Sequence, residues 1–126
     1  MRALAAAVII FISVSCFCIY TEIYTSDGVK KMNSEIEKIK VFMNSKEEAK
    51  AADCFFKLKN DWEHYEKYFQ LMTEHNELDK INEQLAVLTS VFENNDYAHF
   101  RESAYTLSFY LKHICEKKKI NLVTIL

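Results

Sequence analysis

The sequence predicts an all-α protein: an N-terminal transmembrane helix followed by a small bundle of two helical hairpins, four helices in a repeat-like order. Three observations predict it. The 126 residues contain no proline and one glycine, Gly28, whereas sheets take their tight turns from Gly, Pro and Asn-Gly pairs. Apolar residues recur at alternating steps of three and four, which makes one stripe on a helix of 3.6 residues per turn. The stripes break at polar clusters, around Asn44-Ser45, from His75 to Asp79, and at Asn94-Asn95-Asp96.

Composition narrows the class further. Half of the residues are apolar and 27% are charged, a globular balance and not that of a disordered chain. The net charge of −2 comes from 16 basic and 18 acidic residues that are interleaved along the chain. No phosphate-tracking surface follows from that pattern, so a nucleic-acid partner is not expected.

The first element is the N-terminal run. Ala3 to Tyr20 carries no charge and as a helix spans ~27 Å, just short of the ~30 Å hydrocarbon core. Tyr20 and Tyr24 then fall at the interface, where amphipathic rings are favoured. We read residues 1–24 as an uncleaved transmembrane signal anchor, because a signal-peptide core runs to only about 7–15 apolar residues. A cleaved signal peptide, with small Ser13 and Ser15 before Cys16, is the second reading. A lipoprotein acylated at Cys16 is the third. Arg2 precedes the run, while Glu22 and Asp27 follow it, with Lys30 and Lys31 farther on. The near flanks favour a cytoplasmic N-terminus and a helical domain on the outer face of the cell membrane.

Thr25-Ser26-Asp27-Gly28 is the most loop-like stretch of the first half. Residues 25–31 are read as a hinge; a continuous helix through Gly28, at a cost of ~1 kcal/mol, is the alternative. The bundle domain occupies 32–126. Its first helix carries Met32, Ile36, Ile39 and Met43, with Glu35, Glu37, Lys38 and Lys40 on solvated faces. Ser45 followed by Glu48 is a capping-box pattern. It opens a second helix that runs to about Glu74 and holds the strongest stripe: Phe55, Leu58, Trp62, Tyr65, Phe69 and Met72. Asn76 with Asp79 caps the third helix, whose stripe is Leu78, Ile81, Leu85, Leu88 and Phe92. The fourth carries Tyr97, Phe100, Ala104, Leu107, Leu111 and Ile114. Lys117, Lys118 and Lys119 close it, where cations suit the negative end of a helix dipole. Ile120, Leu122, Val123, Ile125 and Leu126 form an apolar tail able to fold back onto the bundle.

Sliding the chain by 49 positions superposes Met32, Ile36 and Ile39 on Ile81, Leu85 and Leu88. It also superposes Phe55, Leu58, Trp62 and Tyr65 on Ala104, Leu107, Leu111 and Ile114. Any three-four stripe matches itself after seven heptads, but here the breaks coincide as well to within one residue, Asn44-Ser45 with Asn94-Asn95. Two copies of one hairpin, each exposing an apolar face, would bury a shared core by stacking.

Chemistry-bearing residues are sparse. His75, Glu77 and Asp79 form a polar cluster at a helix start, read as a candidate partner-facing patch. As a metal site it lacks a third ligand at fixed spacing, and the chain holds no HExxH or cysteine cluster. No glycine-rich phosphate loop exists, and no spacing assembles a nucleophile with its base. No catalytic, cofactor or metal residue is therefore assigned. Cys54 and Cys115 could pair in an oxidising compartment, although two small half-buried hydrophobes are the simpler reading.

Three segments appear in order: Trp62-Glu63-x-Tyr65, then His75-x-Glu77-Leu78-Asp79-x-Ile81, then His113-Ile114-Cys115-Glu116-Lys117-x-Lys119-Ile120-Asn121-Leu122, running on to Ile125-Leu126. Together they resemble a domain-of-unknown-function family of short, N-terminally anchored helical proteins from Gram-positive, spore-forming bacteria. Cys115 departs from that pattern, which most often has proline there; without proline the last helix can run on into the lysines. The resemblance implies a membrane-associated helical protein and supplies no activity. The expected role is a non-enzymatic interaction or accessory module at the cell envelope, touching the bilayer through residues 3–20 and another membrane or envelope protein through the bundle. A membrane-tethered sensor of an apolar ligand or lipid is the alternative.

Overall fold

The computed structural model describes the backbone of residues 1–125, and the side chains of all these except Met72 and those from Lys118 onward. Four helices make up the described chain: α1 (Arg2–Asn44), α2 (Glu48–Met72), α3 (His75–Glu93) and α4 (Tyr97–Ile125). No strand occurs among the described residues. The helices run alternately up and down in an antiparallel four-helix bundle. α1 packs against α2 and α4, α3 packs against α4, and the α2–α3 seam is the lightest.

The stripes face inward. Met32, Ile36 and Ile39 of α1 meet Phe55, Leu58, Trp62 and Phe69 of α2, Ile81 and Leu88 of α3, and Leu107, Leu111 and Ile114 of α4, all of them buried. Tyr65 and Leu85 are half-buried against this core. Trp62 is 3% exposed and its indole donates to Asn82 Oδ1 at 2.7 Å, which satisfies the one polar group of the ring. Phe55 stacks on Phe92 with centroids 4.5 Å apart, so aromatic contact closes the lightest seam.

The repeat extends to individual hydrogen bonds. Each hairpin turn ends its first helix with a Schellman motif, in which a left-handed residue lets two amides reach back to orphan carbonyls. Lys46 (φ 60°) and Asn95 (φ 54°) are those residues. In the first turn Lys46 N–H donates to Met43 and Glu47 N–H to Phe42. In the second, Asn95 donates to Phe92 and Asp96 to Val91, each donor and acceptor 49 positions on. The packing repeats with one exchange of volume. Ala51 and Phe55 in α2 correspond to Phe100 and Ala104 in α4, all buried, so large and small alternate between the copies.

Several sequence expectations need correction. The stretch 25–31 is helical and lies inside α1; of the two alternatives, the continuous helix forms. Thr21 and Thr25 turn their hydroxyls to the carbonyls of Cys18 and Thr21, at 2.9 and 2.8 Å, and so bond within the helix. Gly28 is a packing glycine: a Cβ there would sit 2.7 Å from the Tyr65 ring. The capping box is absent. Ser45 is the C-cap of α1, and Glu47 is the N-cap of α2 without a side-chain hydrogen bond. Glu74, not Asn76, precedes α3, and α2 stops at Met72 rather than Glu74. α4 does not close at the lysines but continues to Ile125. Ile120, Leu122, Val123 and Ile125, expected in a tail folding back onto the bundle, instead continue the backbone of α4, and Leu126 lies outside the described residues. Glu35, expected on a solvated face, is buried at 5% exposure.

Candidate functional site

The antiparallel order gives the bundle two unlike ends. At the distal end, away from the apolar half of α1, the two hairpin turns flank an open cleft of about 560 Å³, within the size range of small-ligand pockets. Met43 and Phe92, Asn44 and Glu93, Lys46 and Asn95, and Glu48 and Tyr97 line it in pairs, with Ala51 and Ala52. Each pair is related by the 49-residue repeat, so the cleft lies between equivalent surfaces of the two hairpins. Its apolar lining is rimmed by Lys46, Glu48 and Glu93. The core itself is tight: a space lined by Met32, Leu58, Trp62, Ile81, Leu85, Leu107 and Leu111 measures about 10 Å³, room for at most one water.

At the other end, the base, α1 emerges from the bundle. Tyr24 packs among Tyr20, Tyr65 and Tyr68, with centroids 4.7–6.3 Å apart. The Tyr24 hydroxyl is 3.1 Å from His64 Nε2, and Tyr68 donates to the Thr21 carbonyl at 3.1 Å. These contacts fasten α2 to α1 just before the stretch that the sequence marks as loop-like. Beyond them α1 is bare. It is long and apolar enough to cross a membrane, and none of its most apolar 18-residue window is buried.

Between the two ends, a buried acid pair joins α1 to α2. Glu35 Oε2 and Asp61 Oδ2 are buried without a hydrogen-bond donor, while Asp61 Oδ1 pairs with Lys31 at 3.5 Å. One proton on Glu35 supplies the missing donor. Burial pushes the Glu35 carboxyl up to about 7; the hydrogen bond to Asp61 and its like charge add to that, and Lys31 and Lys57 oppose it. Nothing in the sequence sets Glu35 apart from the other charged residues of α1, so the pair becomes visible only when the α1–α2 register is known.

His75, Glu77 and Asp79 do not converge. His75 and Asp79 share an exposed face, one helical turn apart. Glu77 faces α4, where its carboxylate lies 3.7 Å from Lys117 Nζ and 3.9 Å from His113 Nε2. Among the described residues no three His, Cys, Asp or Glu side chains are grouped to hold a metal. All four cysteines are free thiols: Cys54 sits near the distal turn and Cys115 near the base, so the two do not pair.

One family model, Domain of unknown function (DUF4363), matches residues 19–125. The chain belongs to this family. The DUF4363 match begins two residues before Thr21 and takes in the whole bundle, leaving most of the bare apolar segment of α1 outside it. No curated protein and no solved structure matches the chain.

Proposed function

We propose that this DUF4363 protein is a single-pass membrane protein without catalytic activity. In this reading its bundle stands on the outer face of the cell membrane of a Gram-positive, spore-forming bacterium and docks onto another membrane or envelope protein. One observation carries the reading: a helix half bare and apolar, half core-forming, with no break between the halves. Uncovered apolar surface on that scale needs lipid or a partner to cover it. Arg2 before the segment and Glu22 and Asp27 after it support the cytoplasmic N-terminus. The exposed pair His75 and Asp79 and the distal cleft are the surfaces open to a partner.

The test uses native membranes. The protein should resist alkaline extraction, and Cys54 or Cys115 should react with a membrane-impermeant thiol reagent in intact cells after mild unfolding. Labelling only after lysis reverses the topology. A mature N-terminus at Cys16 replaces the uncleaved anchor with the lipoprotein or cleaved form. Cross-linking followed by detergent capture that recovers the bait alone counts against the docking role.

The distal cleft supports a second reading, a membrane-tethered binder of a small apolar ligand. The 10 Å³ core void leaves the cleft, not the core, as its site. Native mass spectrometry of protein purified from membranes should then show a bound mass that Ala52→Trp removes.

A further inference from the structure

The base of the bundle carries apolar surface that the core does not use. Leu71, in the last turn of α2, is 83% exposed, and Ile23 of α1 is 55% exposed. Their depth along the bundle follows from neighbouring contacts. Tyr68 reaches the Thr21 carbonyl, and α2 runs antiparallel to α1. Leu71, nearly one turn beyond Tyr68, is therefore level with the end of the uncharged run that closes at Tyr20. A leucine side chain at that level stands where α1 passes from polar to apolar surroundings.

α4 reaches the same level and passes it. Lys117 Nζ lies 3.4 Å from Glu74 Oε2, which fixes this part of α4 beside the turn between α2 and α3. The helix then continues through Ile125, about 12 Å more at 1.5 Å per residue. α4 is antiparallel to α1, so this overhang runs in the direction taken by the bare N-terminal half of α1. Its sequence after Lys119 is Ile-Asn-Leu-Val-Thr-Ile, without a charge. Lysines followed by an apolar run are the order in which a helix enters lipid, with ammonium groups held at headgroup depth.

We infer that the base of the bundle is a second membrane-contact surface, in which the last turn of α2 and the overhang of α4 lie in the interfacial layer of the bilayer beside the α1 span. The inference rests on the reading of α1 as a membrane span. The occupant is lipid, because the same rigid helix that crosses the bilayer holds Leu71 and the overhang at its boundary. The domain thus sits on the membrane and does not hang from a tether.

The test is a depth measurement on the full chain in phosphatidylcholine–phosphatidylglycerol vesicles. The four native cysteines are replaced by alanine, and single fluorophores are attached through Leu71→Cys, Leu122→Cys, Ile10→Cys in the span and Lys46→Cys at the distal turn. Labels at 71 and 122 should emit to the blue of the label at 46, be quenched by lipid-borne nitroxide and be shielded from iodide. If 71 and 122 respond like 46 while 10 reports lipid, the docking base is wrong and the anchor stands. If 10 also responds like 46, the anchor reading fails and takes the inference with it.

Discussion

The two hairpins share one design and differ where each meets its surroundings. Their turns repeat bond for bond, and their stripes repeat from Met32 to Met43 with Ile81 to Phe92 and from Phe55 to Tyr65 with Ala104 to Ile114. The polar positions do not. Glu35 and Asp61 of the first hairpin correspond to Gln84 and Tyr110 of the second, so one copy holds a buried acid pair where the other is neutral. The second hairpin has an ion-pair cluster at the base, where Lys117 bridges Glu74 and Glu77 in partial solvent. The core tolerates two copies because it reads only volume and apolarity. At Glu35 and Asp61 the copies differ in charge as well as volume, and there a carboxyl must find a partner or keep its proton.

Substitutions at paired positions can break or sharpen that comparison. The largest effect belongs to Trp62→Ala, which should cost ~3–5 kcal/mol by denaturant unfolding followed by circular dichroism. Leu111→Ala at the equivalent position should cost less, ~2–4 kcal/mol, and a reversed order would deny Trp62 its central role. Next comes pH. Glu35 is raised in the folded state from an ordinary 4.5 to about 7. Its contribution to stability is full below about 4.5 and is lost as pH rises through 7. The melting temperature of the parent should therefore fall between pH 5 and 8, and Glu35→Gln, which copies Gln84, should flatten that fall. A parent profile already as flat as the variant's would remove the shared proton. Gly28→Ala gains ~1 kcal/mol of helix propensity but drives a methyl into Tyr65, and overpacking costs ~1–3 kcal/mol. A net loss of about 1 kcal/mol is expected, and a stabilised variant would show that Tyr65 yields freely. The smallest effect is at the turns. Lys46→Gly should stabilise by roughly 0.5 kcal/mol, since the left-handed strain relieved slightly exceeds the added chain entropy. Asn95→Gly should change little, because asparagine already tolerates that conformation.

What the sequence disclosed, and what it hid, follows the range of the forces involved. The stripes through Met32, Trp62, Leu88 and Leu111 are periodic and local, so the helices and their repeat could be read directly. The continuity of α1 could not. Thr25-Ser26-Asp27-Gly28 has turn chemistry, yet it is helical and packs against Tyr65 and Tyr68, about forty residues away. The turns misled for another reason: a Schellman motif announces itself by glycine, and here lysine occupies the left-handed site. Glu35 looked solvated because three-four periodicity assigns faces only approximately, and a residue at the edge of a stripe falls on either side. His75, Glu77 and Asp79 are close in sequence, yet the 100° step of the helix turns the middle one away from the other two.

The unbroken course of α1 has a mechanical consequence. At 43 residues it is a strut of roughly 64 Å, and it has no swivel between its bare and packed halves. If its bare half spans a bilayer as proposed, a change of bilayer thickness would change the lean of the helix, and that lean would pass undiminished to the far tip. Orientation at the tip would then follow lipid thickness.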